Sequence, residues 1–250
     1  MARLALTLAC GDYDRTRALA DGRVTVEGAD LRVLTLGPEE IFFRMVRFEE
    51  FDVAELSLST YVLTAQRDAP FVAIPVFPSR AFRHSGIYIH SEAGIGSPHD
   101  LVGRRVGVAE YQLTANVWIR GILAEFHDVP VGSVRYVTGG LHQSGRREKA
   151  AIPTLPEGVE ITGCPEGRTL ADMLVTGEID ALYTPRVPRP YLAGDPAGAA
   201  ALPGCARGRG ELLPPDADLP DHARRGHPAG GVPAQPLAGR LAREGLHPGP

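Results

Sequence analysis

The chain is poor in cysteine and aromatics, has no excess of positive charge, and contains no long apolar run. Its three cysteines, Cys10, Cys164 and Cys205, cannot all pair and have neither metal-ligand nor redox spacing, so free thiols in a reducing compartment are expected. A net charge of -4 gives no electrostatic footprint for nucleic acid. No segment approaches the roughly 20 apolar residues needed to cross a bilayer. The N-terminal run LALTLAC is too short for a signal-peptide core and runs straight into the acidic GDYD. It reads as a first strand of a cytoplasmic protein, although Cys10 in LTLAC faintly resembles a lipoprotein cleavage site. No His/Cys/Asp/Glu cluster has metal spacing, and there is no Gly-rich phosphate loop or nucleophile motif, so no metal or cofactor is expected.

The hydrophobic share, 44% in 250 residues, suffices for one large domain or two small lobes with separate cores. Short apolar runs (LALTLA, DLRVLTL, FDVAEL, FVAIPVF) alternate with helix-like segments. One of these is PEEIFFRMVRFEE, whose Pro38 and two glutamates mark a helix start. The pattern repeats downstream, with RRVGVAE, SVRYVTGG, GVEITGC and EIDALYT as strands and SPHDLVG as a Ser-Pro helix start. LTANVWIRGILAEF reads as a helix with an apolar stripe of Leu113, Val117, Trp118, Ile122 and Leu123, and RTLADMLVTG as one closed by Gly177. The polar stretch 139–157 reads as a surface connection. Alternating strands and helices predict mostly parallel sheets in an α/β fold of two lobes, with ligands at strand C-terminal ends and helix N-termini in the crevice between lobes.

From about Gly194 the composition shifts to Ala, Gly, Pro and Arg, without Ile, Phe, Tyr, Trp, Lys, Ser, Thr or Asn. Such a segment cannot bury enough apolar surface to offset its ordering entropy, and one reading is a disordered tail. The other is a GC-rich gene read out of frame after about residues 190–196. Back-translating PDADLPDHARRGHPAGG and shifting by one nucleotide permits RTRIFPIMHVVVIRRE, a strand-like run.

Several stretches carry a family likeness: LALTLACGDYDRTRAL, PEEIFFRM, FDVAELSLSTY, FVAIPVFPSRAFRHS, RVGVAEYQLTANVWIRGIL and PEGRTLADMLVTGEIDAL. Together they resemble the 4,5-dihydroxyphthalate decarboxylase family, whose members look like type II periplasmic binding proteins adapted to a cytoplasmic role. The resemblance covers residues 3–190, and peptides from the shifted frame resemble the family's continuation. It implies a first lobe in residues 1–89, a second in 90–183, a return crossover in 184–193, and an aberrant tail in 194–250 that leaves the first lobe incomplete. It also implies a carboxy-lyase acting on a small aromatic dicarboxylate, with no nucleic-acid or membrane partner.

Direct loss of CO2 from such a ring would leave an aryl carbanion. Protonating the carboxylate-bearing ring carbon, with electron push from the para hydroxyl, avoids it. That route needs a cationic clamp, a hydrogen-bond acceptor at the phenol and a general acid, and no metal in principle. The segment PVFPSRAFRHSGIYIH supplies Arg80 and Arg83 as carboxylate binders and His84 as a proton donor, with Ser79 beside them. Surface charge beside a hinge is the alternative. Tyr111, Gln112 and Thr114, at the start of the following helix, form a second carboxylate site, unless Thr114 is only a cap. Asp12 and Arg15 in GDYDR offer a phenol acceptor and a cation, with capping by Asp12 or Asp14 as the alternative. Ser57 and Ser59 follow the third strand, where they can also cap, and Arg168 precedes a later helix.

Overall fold

The computed structural model describes residues 3–65, 70–79, 81, 83–148, 152, 154–194, 200–201 and 235–239. It divides into two compact units, Met1–Arg80 with Ala234–Pro250, and Ala81–Pro233.

The first unit runs β1 (Leu4–Cys10), α1 (Asp14–Ala20), β2 (Ala29–Thr35), α2 (Pro38–Phe48), β3 (Val53–Glu55), α3 (Leu58–Ala65) and β4 (Val72–Ser79). Strand β1 pairs in parallel with β2 on one side and β3 on the other. Helix α2 starts where the sequence predicts. Pro38 stands just after the N-cap Gly37, where its missing N–H costs nothing, and Glu39 and Glu40 complement the positive end of the helix. Its apolar face brings Ile41, Phe42 and Met45 onto Ala9, Ala54, Leu56 and Phe71 to form the core.

The second unit contains β5 (Ile87–Ile89), β6 (Arg105–Val108), α4 (Thr114–Phe126), β7 (Arg135–Thr138), β8 (Glu160–Gly163), α5 (Leu170–Val175), β9 (Ala181–Tyr183), α6 (Arg189–Leu192) and β10 (Ala200–Ala201). The sheet order is β10-β5-β9-β6-β7-β8. Strands β9, β6, β7 and β8 are mutually parallel, and β5 runs antiparallel to β9. Ile87–Ile89, placed at the end of the first lobe on sequence grounds, therefore pairs in the second sheet. SPHDLVG forms a 3-10 turn, Pro98–Leu101, closed by a capping box between Ser97 and Asp100.

Most of the tail, with Cys205 and the expectation of disorder, lies outside the described residues. Two pieces of it are described. Besides β10, Gln235–Gly239 forms β11, antiparallel between β3 and β4, so that the first sheet reads β2-β1-β3-β11-β4. The tail was expected to supply no returning strand, and these five residues take that position. No helix among the described residues is long and apolar enough to cross a membrane.

Candidate active site

Three polar groupings stand out, two in the second unit and one in the first. In the second unit the chain enters β5 through a tight turn. Arg83 precedes the 3-10 turn His84–Gly86, the Gly86 N–H donates to the Arg83 carbonyl at 3.0 Å, and the Thr184 N–H donates to the Gly86 carbonyl at 2.8 Å. A side chain at Gly86 would meet the Thr184 carbonyl at 2.9 Å, so the turn needs glycine there. Both Arg83 and His84 are only 5% exposed. The Arg83 Nε has no hydrogen-bond partner among the described residues, and desolvation pushes the guanidinium down to about 10. A buried guanidinium whose Nε lacks a partner among the described residues is costly and marks a place where an anion would be favourable. Arg80 lies outside the described residues.

The β6–α4 junction holds a second set. Helix α4 begins after Leu113, which makes no side-chain cap, so Thr114 opens the helix and is not its cap. Tyr111, Gln112 and Thr114 are all buried. The backbone N–H groups here are already engaged by a carboxylate: Tyr111 N–H donates to Glu148 Oε1, and Gln112 N–H bonds the same side chain. Glu110 is fully buried and accepts from Arg146 Nε at 2.9 Å and Nη2 at 2.6 Å, and from Gln112 Nε2 at 3.0 Å. The stretch 139–157 thus reaches into the β6–α4 junction through Arg146 and Glu148, a correction to its reading as surface connection.

The buried face of α4 also differs from expectation. Ala115, Asn116, Ile119, Arg120 and Leu123 face inward, while Val117 and Trp118 are exposed. Two polar residues are accepted inside because each has local compensation. Asn116 Nδ2 donates to the Glu110 carbonyl at 2.9 Å. Arg120 stacks over the Tyr111 ring at 3.8 Å, and Tyr111 packs edge-on against Tyr136. Arg168, proposed on sequence to reach a carboxylate, is occupied by Glu178 and by the Thr176 hydroxyl at 3.1 Å.

In the first unit the C-terminal ends of β1, β3 and β4 gather Gly11, Tyr13, Glu55, Ser57 and Ser79. The fully buried Glu55 accepts from the Gly11 N–H at 2.5 Å and from the Tyr13 hydroxyl at 2.9 Å, and Ser79 reaches the same hydroxyl. Burial pushes the Glu55 carboxyl up, opposed by its bonds to Tyr13 and Gly11. Burial and the nearby Glu55 push the Tyr13 phenol up as well. Ser57 and Ser59 bond each other at 3.1 Å. Arg15 donates to the Pro78 carbonyl and lies 5.0 Å from the Tyr13 ring centroid. Asp12 is exposed and paired with Arg17 at 3.1 Å, and the residue before α1 is Tyr13, so neither Asp12 nor Asp14 caps that helix. Glu55, Tyr13, Arg120, Arg146 and Glu148 are the members that sequence reasoning missed. Among the described residues no group of three or more His, Cys, Asp or Glu could hold a metal ion.

No protein-family model matches the chain. It is 48% identical over 211 residues to the 4,5-dihydroxyphthalate decarboxylase of Comamonas testosteroni, covering 80% of this chain and 64% of that protein. It is 47% identical over 211 residues to the enzyme of the same name from Pseudomonas putida, covering 80% of this chain and 81% of that one. The chain therefore spans slightly less than two thirds of the first relative's length. Among solved structures, the periplasmic aliphatic sulphonate binding protein SsuA of Escherichia coli aligns with a TM-score of 0.47 at 14% identity, over 80% of this chain and 60% of that one. An ancestral arginine-binding protein bound to arginine aligns with a TM-score of 0.41 at 15% identity, over 97% and 87%. At TM-scores below 0.5 these likenesses carry no weight beside the sheet topology itself. Two α/β units on largely parallel sheets, with the chain passing out to the second and returning to the first, make this a two-unit α/β protein. Within that class, the chain belongs to the 4,5-dihydroxyphthalate decarboxylase family.

Proposed function

We propose that the chain is a carboxy-lyase that converts 4,5-dihydroxyphthalate to protocatechuate and CO2. The observation that carries this reading is the 48% identity to a curated decarboxylase over 211 residues. In the reaction a proton adds to the ring carbon bearing one carboxylate, with electrons supplied from the para hydroxyl. The bond from that carbon to the carboxylate then breaks, its electron pair restores the aromatic ring, and CO2 leaves. Arg83 holds a carboxylate, with Arg80 as a second clamp, and His84 gives the proton. A general acid placed in this way contributes roughly 10²–10⁴-fold to the rate. Ser79, Ser57, Ser59, Tyr111, Gln112, Thr114 and Arg15 are proposed as binding residues. Asp12 and Arg168 are the weakest of the proposed residues because each is engaged in an exposed ion pair.

Incubating the purified chain with 4,5-dihydroxyphthalate is expected to release CO2 and protocatechuate in equal amounts. Tight binding without turnover would instead favour a solute-binding protein for a small anion. Neither binding nor turnover would favour an inactive product read out of frame after about residue 190, and resequencing the DNA around codons 190–196 tests that reading directly.

A further inference from the structure

We propose that the two backbone N–H groups of Tyr111 and Gln112, with the buried Arg120 beside them, form a carboxylate-binding site that Glu148 occupies in the free protein and an aromatic carboxylate takes over. The inference rests on the reading of an aromatic dicarboxylate as ligand and adds to it a residue the ligand must displace.

Three observations converge on this site. First, a carboxylate is already there, since Glu148 accepts from the Tyr111 N–H and from the Gln112 N–H. Helix α4, a 13-residue helix, starts two residues later and contributes the positive end of its dipole. Second, Arg120 is 7% exposed, its Nη1 has no hydrogen-bond partner among the described residues, and its charge and that of Glu148 act on each other. The guanidinium carbon lies over the Tyr111 ring, 3.8 Å from its centroid, so it packs on the same loop that supplies the N–H groups. Third, Glu148 fits incompletely. Its Oε2 is buried and has no partner among the described residues. A stable structural cap would satisfy both oxygens, whereas a tethered carboxylate standing in for a better ligand need not.

The charge arrangement favours exchange. Glu110, on the same loop, repels Glu148, although Arg146 pairs with Glu110 and moderates that repulsion. Arg120 is the cation that faces Glu148 from α4. Burial is the largest influence on Glu148 and raises its proton affinity, the two N–H bonds and Arg120 oppose the rise, and Glu110 adds to it. The neutral side chain competes poorly for the N–H pair and the ionised one competes well. Carboxylate affinity should therefore fall as pH rises and Glu148 ionises.

The test uses the full chain and phthalate, which lacks the ring hydroxyls needed for electron push and so reports binding without turnover. If Glu148 holds the site in nine of ten molecules, Glu148→Ala should bind phthalate about tenfold more tightly by calorimetry. As pH rises above the usual carboxylate range the wild-type affinity should fall, while that of Glu148→Gln should stay flat. Arg120→Met should lose phthalate binding, and if that variant does not fold the two Glu148 variants decide. A folded Glu148→Ala protein that binds phthalate no better than the wild type, or a Glu148→Gln protein that keeps the wild-type pH profile, would overturn the proposal. Phthalate binding without any turnover of 4,5-dihydroxyphthalate would leave this site standing and remove the decarboxylase reading. Turnover with unchanged Glu148 variants would do the reverse.

Discussion

Replacing Arg83 with methionine is expected to weaken the binding of 4,5-dihydroxyphthalate by roughly 30- to several thousand-fold while leaving the fold as stable as before or more so. The two halves of this result have one cause. Arg83 is 5% exposed, burial pushes its guanidinium down to about 10, and its Nε has no hydrogen-bond partner among the described residues. That fall corresponds to about 3 kcal/mol of unfavourable burial. Uncompensated buried charges are destabilising, and apolar replacements of similar volume are often neutral or stabilising. Methionine keeps most of the side chain's length and packing and removes the charge.

A ligand carboxylate reverses the balance, because it supplies the missing partner where water is excluded. Removing one side of such a desolvated charge pair costs about 2–5 kcal/mol of affinity. The pH dependence of stability has a definite sign. With the Arg83 pKa depressed on folding, the unfolded chain binds more protons above about pH 10, so the penalty is fully present below that pH and is relieved as pH rises through it. Calorimetric titration with the diacid, beside urea midpoints of both proteins, checks the prediction. Unchanged affinity together with lower stability would mean that Arg83 is a packing residue.

The fold was largely legible because its signals are local. Strand β1 is bounded by GDYD, α2 by Pro38 and its glutamates, and α5 by Gly177, all within a few residues of the elements they delimit. The site was legible only where its residues cluster in sequence, as in Arg83 and His84. Glu55 sits at the end of a strand read as apolar, and its partner Tyr13 is 42 residues away. Nothing near Glu55 in the sequence announces that pairing. On α4 the periodicity of Val117 and Trp118 points to the wrong face, because the stacking of Arg120 on Tyr111 and the bond from Asn116 to the Glu110 carbonyl make a polar stripe the buried one. Arg146 and Glu148 lie in a segment whose polarity reads as solvent-facing, yet that polarity is used against Glu110 and the Tyr111 N–H. In each case a polar contact between separate elements overrides what the local pattern suggests.

The same long-range pairing makes Glu55 the second position where a large effect is expected. Glu55→Leu should destabilise the chain by about 2–4 kcal/mol, because it strips the acceptor from the buried Gly11 N–H and from the Tyr13 hydroxyl while filling a space shaped for a carboxyl. Glu55→Gln keeps an acceptor oxygen and should cost less. It should also change how stability depends on pH. Burial raises the Glu55 pKa above its unfolded value, so between the two values the folded chain holds the proton that the unfolded chain has lost. Stability then falls as pH rises through that window, with a slope of at most about 1.4 kcal/mol per pH unit for one proton. The glutamine variant has no such proton, and the part of the slope due to residue 55 should vanish. Urea unfolding of the three proteins from mildly acidic to neutral pH separates the two effects. A glutamine variant with the wild-type slope would mean that Glu55 stays ionised when folded. The bond from the Tyr13 hydroxyl would then be charge-assisted and the leucine variant correspondingly more damaging, since the loop between β1 and α1 would have lost an anion that fixes Gly11 and Tyr13 together.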